Sequence, residues 1–538
     1  MLTARERLAR QKSRPLLVEL HRALTRLTST LTVMNTGAHP DDEQSGMLAT
    51  LRFGYGMRLI VACSTRGEGG QNVLGPERGG ALGVLRTREM EEAARSLDAD
   101  VVWLGHGPDD PVHDFGFSKN GTDTLARWGL DRIIERMVIA YRRERPDIVI
   151  PTFLDVPGQH GHHRAMTEAA EAAIVLAADP AYLTPGLDPW AVGKYYLPAW
   201  SGGGDTYDDE VPPPNASVSV TTPGIDAPTG AAFAQIGEWS RASHASQGMG
   251  RWTATPATEW PLHLQRGPTG PETDIRHNLP ATLGELASQF SGPAAEALGT
   301  AQAGIDAALA AFPDRAAITT ALLAAATALN SITDAEAPEP HAHRIQRKQV
   351  EIDAALLLAA GIAPIAWAEP NRAKPGGTAT LTIAPGPQPV TATPIATGPF
   401  QLGPAASAEG LIRYPITVNS EAPLSTLYPP GFSSLGGNGA LTVSLQAMIG
   451  NRTVRGSVDL EEPFSIGPSH SVQVLPEAVI LPSGRPGAPL PIAIRSPIPL
   501  TNAALIVPTG WGAVRTQTGV TVTPPQTLPN GLYRLPLM

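Results

Sequence analysis

Between residues 31 and 260 short apolar runs alternate with helical stretches, and this alternation restricts the fold more than any other feature of the chain. Leu59, Ile60 and Val61 make a strand of Arg58 to Cys63. Met90, Ala93, Ala94 and Leu97 share one face of a helix over Thr87 to Leu97. Val101, Val102 and Trp103 form a strand within Asp100 to Leu104. A helix over Leu130 to Arg143 must stop ahead of Pro146, because the residue before a proline is steered away from helical geometry. Asp147 to Phe153 reads as a strand with a polar end. Strand–helix–strand repetition packs as a parallel sheet covered by helices, and such sheets carry their sites beyond the carboxyl ends of the strands.

The remaining sequence changes character twice. Residues 1–30 predict an amphipathic helix carrying Leu8, Leu16, Leu17, Leu20 and Leu24. Residues 266–368 are rich in Ala and Leu, strong helix formers, and predict a helical connector. From about residue 369, Pro and Gly become dense between short β-like runs: Thr378–Ile383, Leu411–Val418, Leu441–Ile449, Ser471–Leu475 and Leu490–Ile494. Regular short strands with turn signals predict β-sandwich modules, divided here into 369–465 and 466–538. The expected chain is therefore multidomain: N-terminal helix, α/β domain (31–265), helical connector and two β-rich modules.

Composition excludes several functions. The net charge of -10 offers no general attraction for nucleic acid or anionic membrane. The apolar stretch Ala354 to Ala368 is about fifteen residues and contains Pro364. A membrane span needs about 18 or more, so this stretch reads as a helix end running into a linker. The Arg-rich start (Arg5, Arg7, Arg10) is followed by no apolar segment of a secretory signal, and a cytoplasmic location is expected. Cys63 is the single cysteine, which rules out an internal disulfide; a small buried residue is the expected role.

Two clusters carry chemistry. The first is Ala38-His39-Pro40-Asp41-Asp42-Glu43. Imidazole and carboxylate are zinc ligands. Adjacent carboxylates repel unless a cation lies beside them. His39 and Asp42 are therefore expected to hold metal, leaving Asp41 to take a proton from water. Glu43 would support them or start a helix, where negative charge is favoured. The second cluster, His160-Gly161-His162-His163-Arg164, follows the strand ending near Phe153 and is expected to supply a third ligand. Three protein ligands and one open position are the usual catalytic zinc arrangement. A further histidine nearby could stabilise an oxyanion. Either motif alone could be a turn or a solvated loop; the pair, each after a strand of one α/β domain, is harder to explain that way.

These motifs resemble those of the PIG-L/LmbE-like de-N-acetylases, over roughly residues 30–260. Beside AHPDDE, Thr65-Arg66-Gly67-Glu68-Gly69-Gly70 resembles the family's glycine-rich turn. Arg86, Glu89 and Ala93-Ala94 resemble its Arg/Glu helix, and His244-Ala245-Ser246-Gln247 its late His-x-Ser/Thr-Gln segment. The resemblance implies a Rossmann-like fold without dinucleotide and one zinc ion per chain, or another divalent metal in its place. It implies His39, Asp42 and His163 as ligands, Asp41 as general base and His160 as the oxyanion-stabilising histidine. The family usually reads His-Pro-Asp-His-Arg where this chain has Gly161 and His162, so His162 competes with His163 as ligand.

Weaker candidates are Arg86, Asp110 and His244 as substrate contacts, with Asp109 and His113 near Asp110. Asp155 is a candidate for orienting a ligand histidine. Gly67, Gly69 and Gly70 could form an anion-binding nest or a tight turn. Trp200, Trp239 and Trp252 could stack on a sugar or fill the core. The expected activity is hydrolysis of the N-acetyl amide of an N-acetylglucosamine-type sugar or glycoconjugate. The alternatives are the same zinc chemistry on another amide, or an inactive carbohydrate-binding protein. The expected partner is a small molecule or glycan; the oligomeric state is not readable from the sequence.

Overall fold

The computed structural model describes all residues except 1–12, 201–208, 223, 251–256, 334–340, 482–486, 500–503, 530–532 and 538. Leu8, Trp252 and the Arg-rich start therefore lie outside the described residues.

Seven strands of the first half build one sheet: β1 (Thr32–Gly37), β2 (Arg58–Cys63), β3 (Asp100–Trp103), β4 (Ile148–Pro151), β5 (Lys194–Pro198), β6 (Val218–Thr221) and β7 (Glu259–Arg266). Their spatial order is β3-β2-β1-β4-β5-β7-β6. The first five run parallel, and β7 and β6 add antiparallel at the far edge. The sheet is thus mixed, with a parallel centre. Strand order reverses at β1, so the crevice at a topological switch point opens beyond the carboxyl ends of β1 and β4.

Side-chain alternation divides the strands between two cores. Val33, Leu59 and Val61 face one way, with Met90, Ile236 and Trp260. Met34, Ile60 and Ala62 face the other, with Met137, Tyr141 and Ala169. Period-two alternation on strands buried on both sides explains why both sets are apolar.

The helices are α1 (Leu16–Leu27), α2 (Ser45–Ala49, continuing as a π turn over Thr50–Gly54), α3 (Gly80–Leu97), α4 (Gly121–Trp128), α5 (Leu130–Glu144), α6 (Gly161–Ala178) and α7 (Phe233–Arg241). The α5 helix ends where Arg145 turns left-handed (φ 52°) ahead of Pro146.

Four further helices lie in the stretch expected to be a connector: α8 (Leu283–Ala287), α9 (Gly292–Ala310), α10 (Arg315–Asn330) and α11 (Ala342–Ala360). Asp314 caps α10 by accepting the N–H groups of Ala316 and Ala317. Leu20 and Leu24 of α1 share one core with Ile318, Ile352, Leu381 and Val443, so α1, these helices and the first β sheets pack as a unit.

After α11 the chain does not run into a linker, as the sequence suggested. Ile365–Glu369 is a strand paired with Thr378–Ala384. Leu411–Val418 joins that sheet, and Thr391–Ala396, Leu441–Ile449 and Arg452–Asp459 form a second one. A four-stranded sheet of Gln473–Leu475, Leu490–Arg495, Gly519–Thr523 and Gly512–Arg515 ends the chain. The two-residue strand Gly431–Phe432 leaves this half entirely and pairs antiparallel with β3, closing the open edge of the N-terminal sheet. Among the described residues no helix is long and apolar enough to cross a membrane.

Candidate metal centre

Two residues past β1, the chain turns through His39-Pro40-Asp41-Asp42. Asp42 Oδ2 accepts the N–H groups of Ala38 (2.7 Å) and His39 (2.9 Å), which folds the turn back on itself. Its other oxygen lies 3.5 Å from His39 Nδ1 and 3.2 Å from His163 Nε2, and those two nitrogens are 3.2 Å apart. A tetrahedral ion bound at about 2.0–2.1 Å sets its ligand atoms about 3.3–3.4 Å apart. The three atoms therefore fit one such ion. Two wider triples also lie nearby, His39–His160–His163 and His39–Asp114–His162, with ligand atoms within 4.8 Å of one another.

Gln159 fixes the tautomer of His163. Its Oε1 accepts the backbone N–H of His160 at 2.9 Å and lies 2.8 Å from His163 Nδ1. Its Nε2 donates to Asp209 Oδ1 at 3.0 Å. With Oε1 thus an acceptor, His163 Nδ1 must carry the proton, and Nε2 presents its lone pair to Asp42 and His39. The sequence reading gave this orienting role to Asp155. Asp155 instead accepts from Arg164 Nε at 2.7 Å, outside the cluster.

The second cluster lies at the start of α6: His160 precedes the first turn and His162 and His163 are in it. A side chain at Gly161 would stand 2.5 Å from Ser118 Oγ and 2.9 Å from Asn120 O, and its N–H donates to Ser118 O at 2.7 Å. A proline here would crowd Asn120 O and lose that bond. His162 is fully buried between Phe115 (ring centroids 4.3 Å) and Trp128 (5.3 Å), with Nδ1 3.3 Å from His160 Nδ1.

Asp41 has φ 111°, a conformation a non-glycine residue adopts only when its surroundings enforce it. The enforcement is visible. Asp41 N–H donates to Glu43 Oε2 (3.1 Å), and Glu43 Oε1 accepts from His244 Nε2 (2.6 Å). Gln247 Nε2 donates to Pro40 O (2.6 Å), while Ser246 donates its N–H and hydroxyl to Glu89 on α3. The segment 244–247 is thus a clamp on the Asp41 turn. His244 is fully buried, so its side chain meets Glu43 and has no surface for a sugar.

The electrostatics separate the two aspartates. Burial raises the Asp41 carboxyl, and the neighbouring Asp42 charge raises it further, to about 7. Burial acts the same way on Asp42, but the imidazoles of His163 and His39 reverse it and hold that group well below the usual carboxylate range. Burial pushes His160 down to about 3, helped by His39 and His163. Its Nε2 accepts the Ser118 N–H at 3.3 Å.

The weaker candidates scatter. Arg86 is buried under the glycine turn: its Nη2 donates to Gln71 O, and a side chain at Gly67 would stand 2.6 Å from Nη1. That turn, with Gly67 at φ 70°, is filled by the guanidinium rather than open as a nest. Asp110 is held by Arg136 (2.9 Å) and the Val112 N–H (2.8 Å). Asp109 pairs with Arg534, and His113 Nδ1 lies against Asp110 O. Trp200 packs on the sheet core, and Trp239 is 40% exposed. Cys63 is buried at the end of β2. Sequence reasoning missed Gln159 and Asp114. Asp114 Oδ2 lies 4.0 Å from His39 Nε2. Gln159 precedes the N-cap of α6, so helical spacing did not point to it, and no signal pointed to Asp114 either.

A sheet with this switch point and a His/Asp cluster beyond it defines an α/β protein with a candidate catalytic metal site. Residues 34–174 match the family model described as PIG-L, GlcNAc-PI de-N-acetylase, and the chain carries a PIG-L family domain. It is similar to 1D-myo-inositol 2-acetamido-2-deoxy-alpha-D-glucopyranoside deacetylase 2 of Saccharopolyspora erythraea, 38% identical over 173 residues, 30% of this chain and 62% of that one. The chain thus spans less than two thirds of that curated relative. Among solved structures it is similar to the 4-carboxy-2-hydroxymuconate hydratase of Pseudomonas putida (16% identity, 45% of this chain and 99% of that one, TM-score 0.30). It is also similar to the N,N'-diacetylchitobiose deacetylase of Pyrococcus horikoshii (17%, 46% and 88%, TM-score 0.29).

Proposed function

We propose that the chain is a zinc-dependent hydrolase that removes the acetyl group from an N-acetylglucosamine-type sugar or glycoconjugate. The observation that carries this reading is the convergence of His39 Nδ1, Asp42 Oδ1 and His163 Nε2 at 3.2–3.5 Å, with Asp41 beside them. The PIG-L match and the deacetylase named among the relatives support the substrate class.

In this reading His39, Asp42 and His163 hold the metal. Bound there, zinc would polarise the amide carbonyl and lower the pKa of a water to about 7. Asp41 takes the proton as water attacks the carbonyl carbon. With Nε2 accepting the Ser118 N–H, the proton of His160 is on Nδ1, and in this reading it turns from His162 Nδ1 to the developing oxyanion. The C–N bond then breaks, and the leaving amine needs a proton. Asp41, which holds the proton taken from water, or His160 supplies it. The products are acetate and a free amine. We assign turnover to residues 31–265, with 266–368 as connector and 369–465 and 466–538 as non-catalytic modules.

Metal removal tests the reading. Chelation of the full chain should abolish amine release from an N-acetylglucosaminide, and one equivalent of zinc per chain should restore it. Unchanged turnover by fully stripped protein would overturn it.

A further inference from the structure

Two buried side chains hold the Asp41 turn without belonging to the atoms that converge on the metal. Asp41 keeps φ 111°, a conformation that an aspartate leaves unless its surroundings enforce it. The first hold is Glu43, whose Oε2 accepts the Asp41 N–H at 3.1 Å. The second is His244, 201 residues further along the chain, which donates from Nε2 to Glu43 Oε1 at 2.6 Å. The Glu43 side chain is 1% exposed and that of His244 0%, so solvent reaches neither partner. Gln247 Nε2 fixes the preceding residue through Pro40 O.

His244 reaches Glu43 from a fixed base. The α7 helix before it lies so close to the start of α2 that a side chain at Gly237 would stand 2.5 Å from Gly46 N and 2.7 Å from Ser45 C. Ser240 Oγ donates to Ala93 O of α3 at 2.9 Å, and Ser246 binds Glu89 on the same helix. Three helices thus set where His244 stands, and His244 sets where the Glu43 carboxylate meets the Asp41 amide. The φ angle fixes how the Asp41 side chain leaves the backbone. Relaxation to ordinary helical or extended geometry would swing its carboxylate out of line.

We propose that Glu43 and His244 are positioning residues for the base: they hold Asp41 where it meets the attacking water, and set the rate without binding metal or substrate. The proposal rests on the deacetylase reading and deepens it. A base displaced by about 1 Å can lose about 10²-fold in rate.

Amine release from an N-acetylglucosaminide and zinc affinity, both measured on the full chain, test this together. Glu43→Ala and His244→Ala should each lower kcat about 10²-fold, with KM and zinc affinity unchanged. Glu43→Gln, which still accepts the Asp41 N–H, should recover most of the rate. In an Asp41→Asn background Glu43→Ala should cost nothing further, because the residue it acts through is already gone. Hydrogen exchange reads the hold without turnover: the Asp41 amide should exchange about tenfold faster in both alanine variants than in wild type. Full kcat in either alanine variant overturns the proposal, as does zinc lost in step with rate or an equal loss in the Asp41→Asn background. No amine release from zinc-loaded wild type, with the Asp41 amide freed in the variants, would sink the deacetylase reading. Release by wild type, with exchange unchanged in both variants, would sink the positioning role alone.

Discussion

At the residue scale, the ligand set depends on a side chain that touches no substrate. Gln159 accepts from His163 Nδ1 and so turns Nε2 toward Asp42. Outer partners of this kind are worth about 10- to 100-fold in metal affinity. Gln159→Ala should weaken zinc binding by that factor, measured by competition with a chromogenic chelator, and Gln159→Glu, which still accepts, should recover most of it. Unchanged affinity in the alanine variant would remove Gln159 from the site. The AHPDDE and HGHHR strings were legible because each concentrates ligand types in a few residues after a strand. Gln159 was not, because a glutamine announces nothing until its partners are known. Asp155 was the expected orienting group, and Arg164 holds it instead.

At the element scale, the junction of α1, the π turn after α2 and the end of α3 is held by Asp98, left-handed at φ 54°. It bonds Arg26 and Arg52 together. Burial would raise the Asp98 carboxyl, but the two guanidinium groups lower it from 3.8 to about 2. The folded chain therefore binds this proton less readily than the unfolded one. The linked stability, about 2 kcal/mol, is present above pH 3.8 and is lost as pH falls through about 2. Acid titration of unfolding should show this loss in wild type. In Asp98→Asn it should be absent, with stability already reduced by about 3 kcal/mol at neutral pH by the unpaired arginines. An identical acid limb in the variant would show that Asp98 does not carry it. The helices meeting here were readable from apolar periodicity, but nothing local paired Asp98 with Arg26 and Arg52 across the chain.

At the scale of the whole molecule, the C-terminal half completes the N-terminal sheet. Gly431–Phe432 covers β3, Arg66 donates to Pro429 O at 2.8 Å, and Tyr428 donates to Gly80 O at 2.6 Å. An uncovered β3 would be a free edge, open to pairing with another chain. Phe432 is buried in the sheet core, so Phe432→Ala should cost about 3 kcal/mol. Unfolding followed by tryptophan fluorescence would show the loss in the N-terminal sheet, and no change would mean the strand is an ornament. A two-residue strand amid Pro and Gly has no periodicity to read; only the edge it covers defines it. The long runs Leu411–Val418 and Leu441–Ile449 were legible for the opposite reason, since alternation over eight or nine residues leaves few other structures.

The proposed mechanism makes Asp41 the base beside a metal held by His39, Asp42 and His163. It is tested most directly by amine release from N-acetylglucosaminides by wild type and Asp41→Asn, with zinc content measured in both. The expected result is equal zinc and a rate at least about 10²- to 10⁴-fold lower in the variant. Undiminished release by zinc-loaded Asp41→Asn, or none from zinc-loaded wild type, would contradict it.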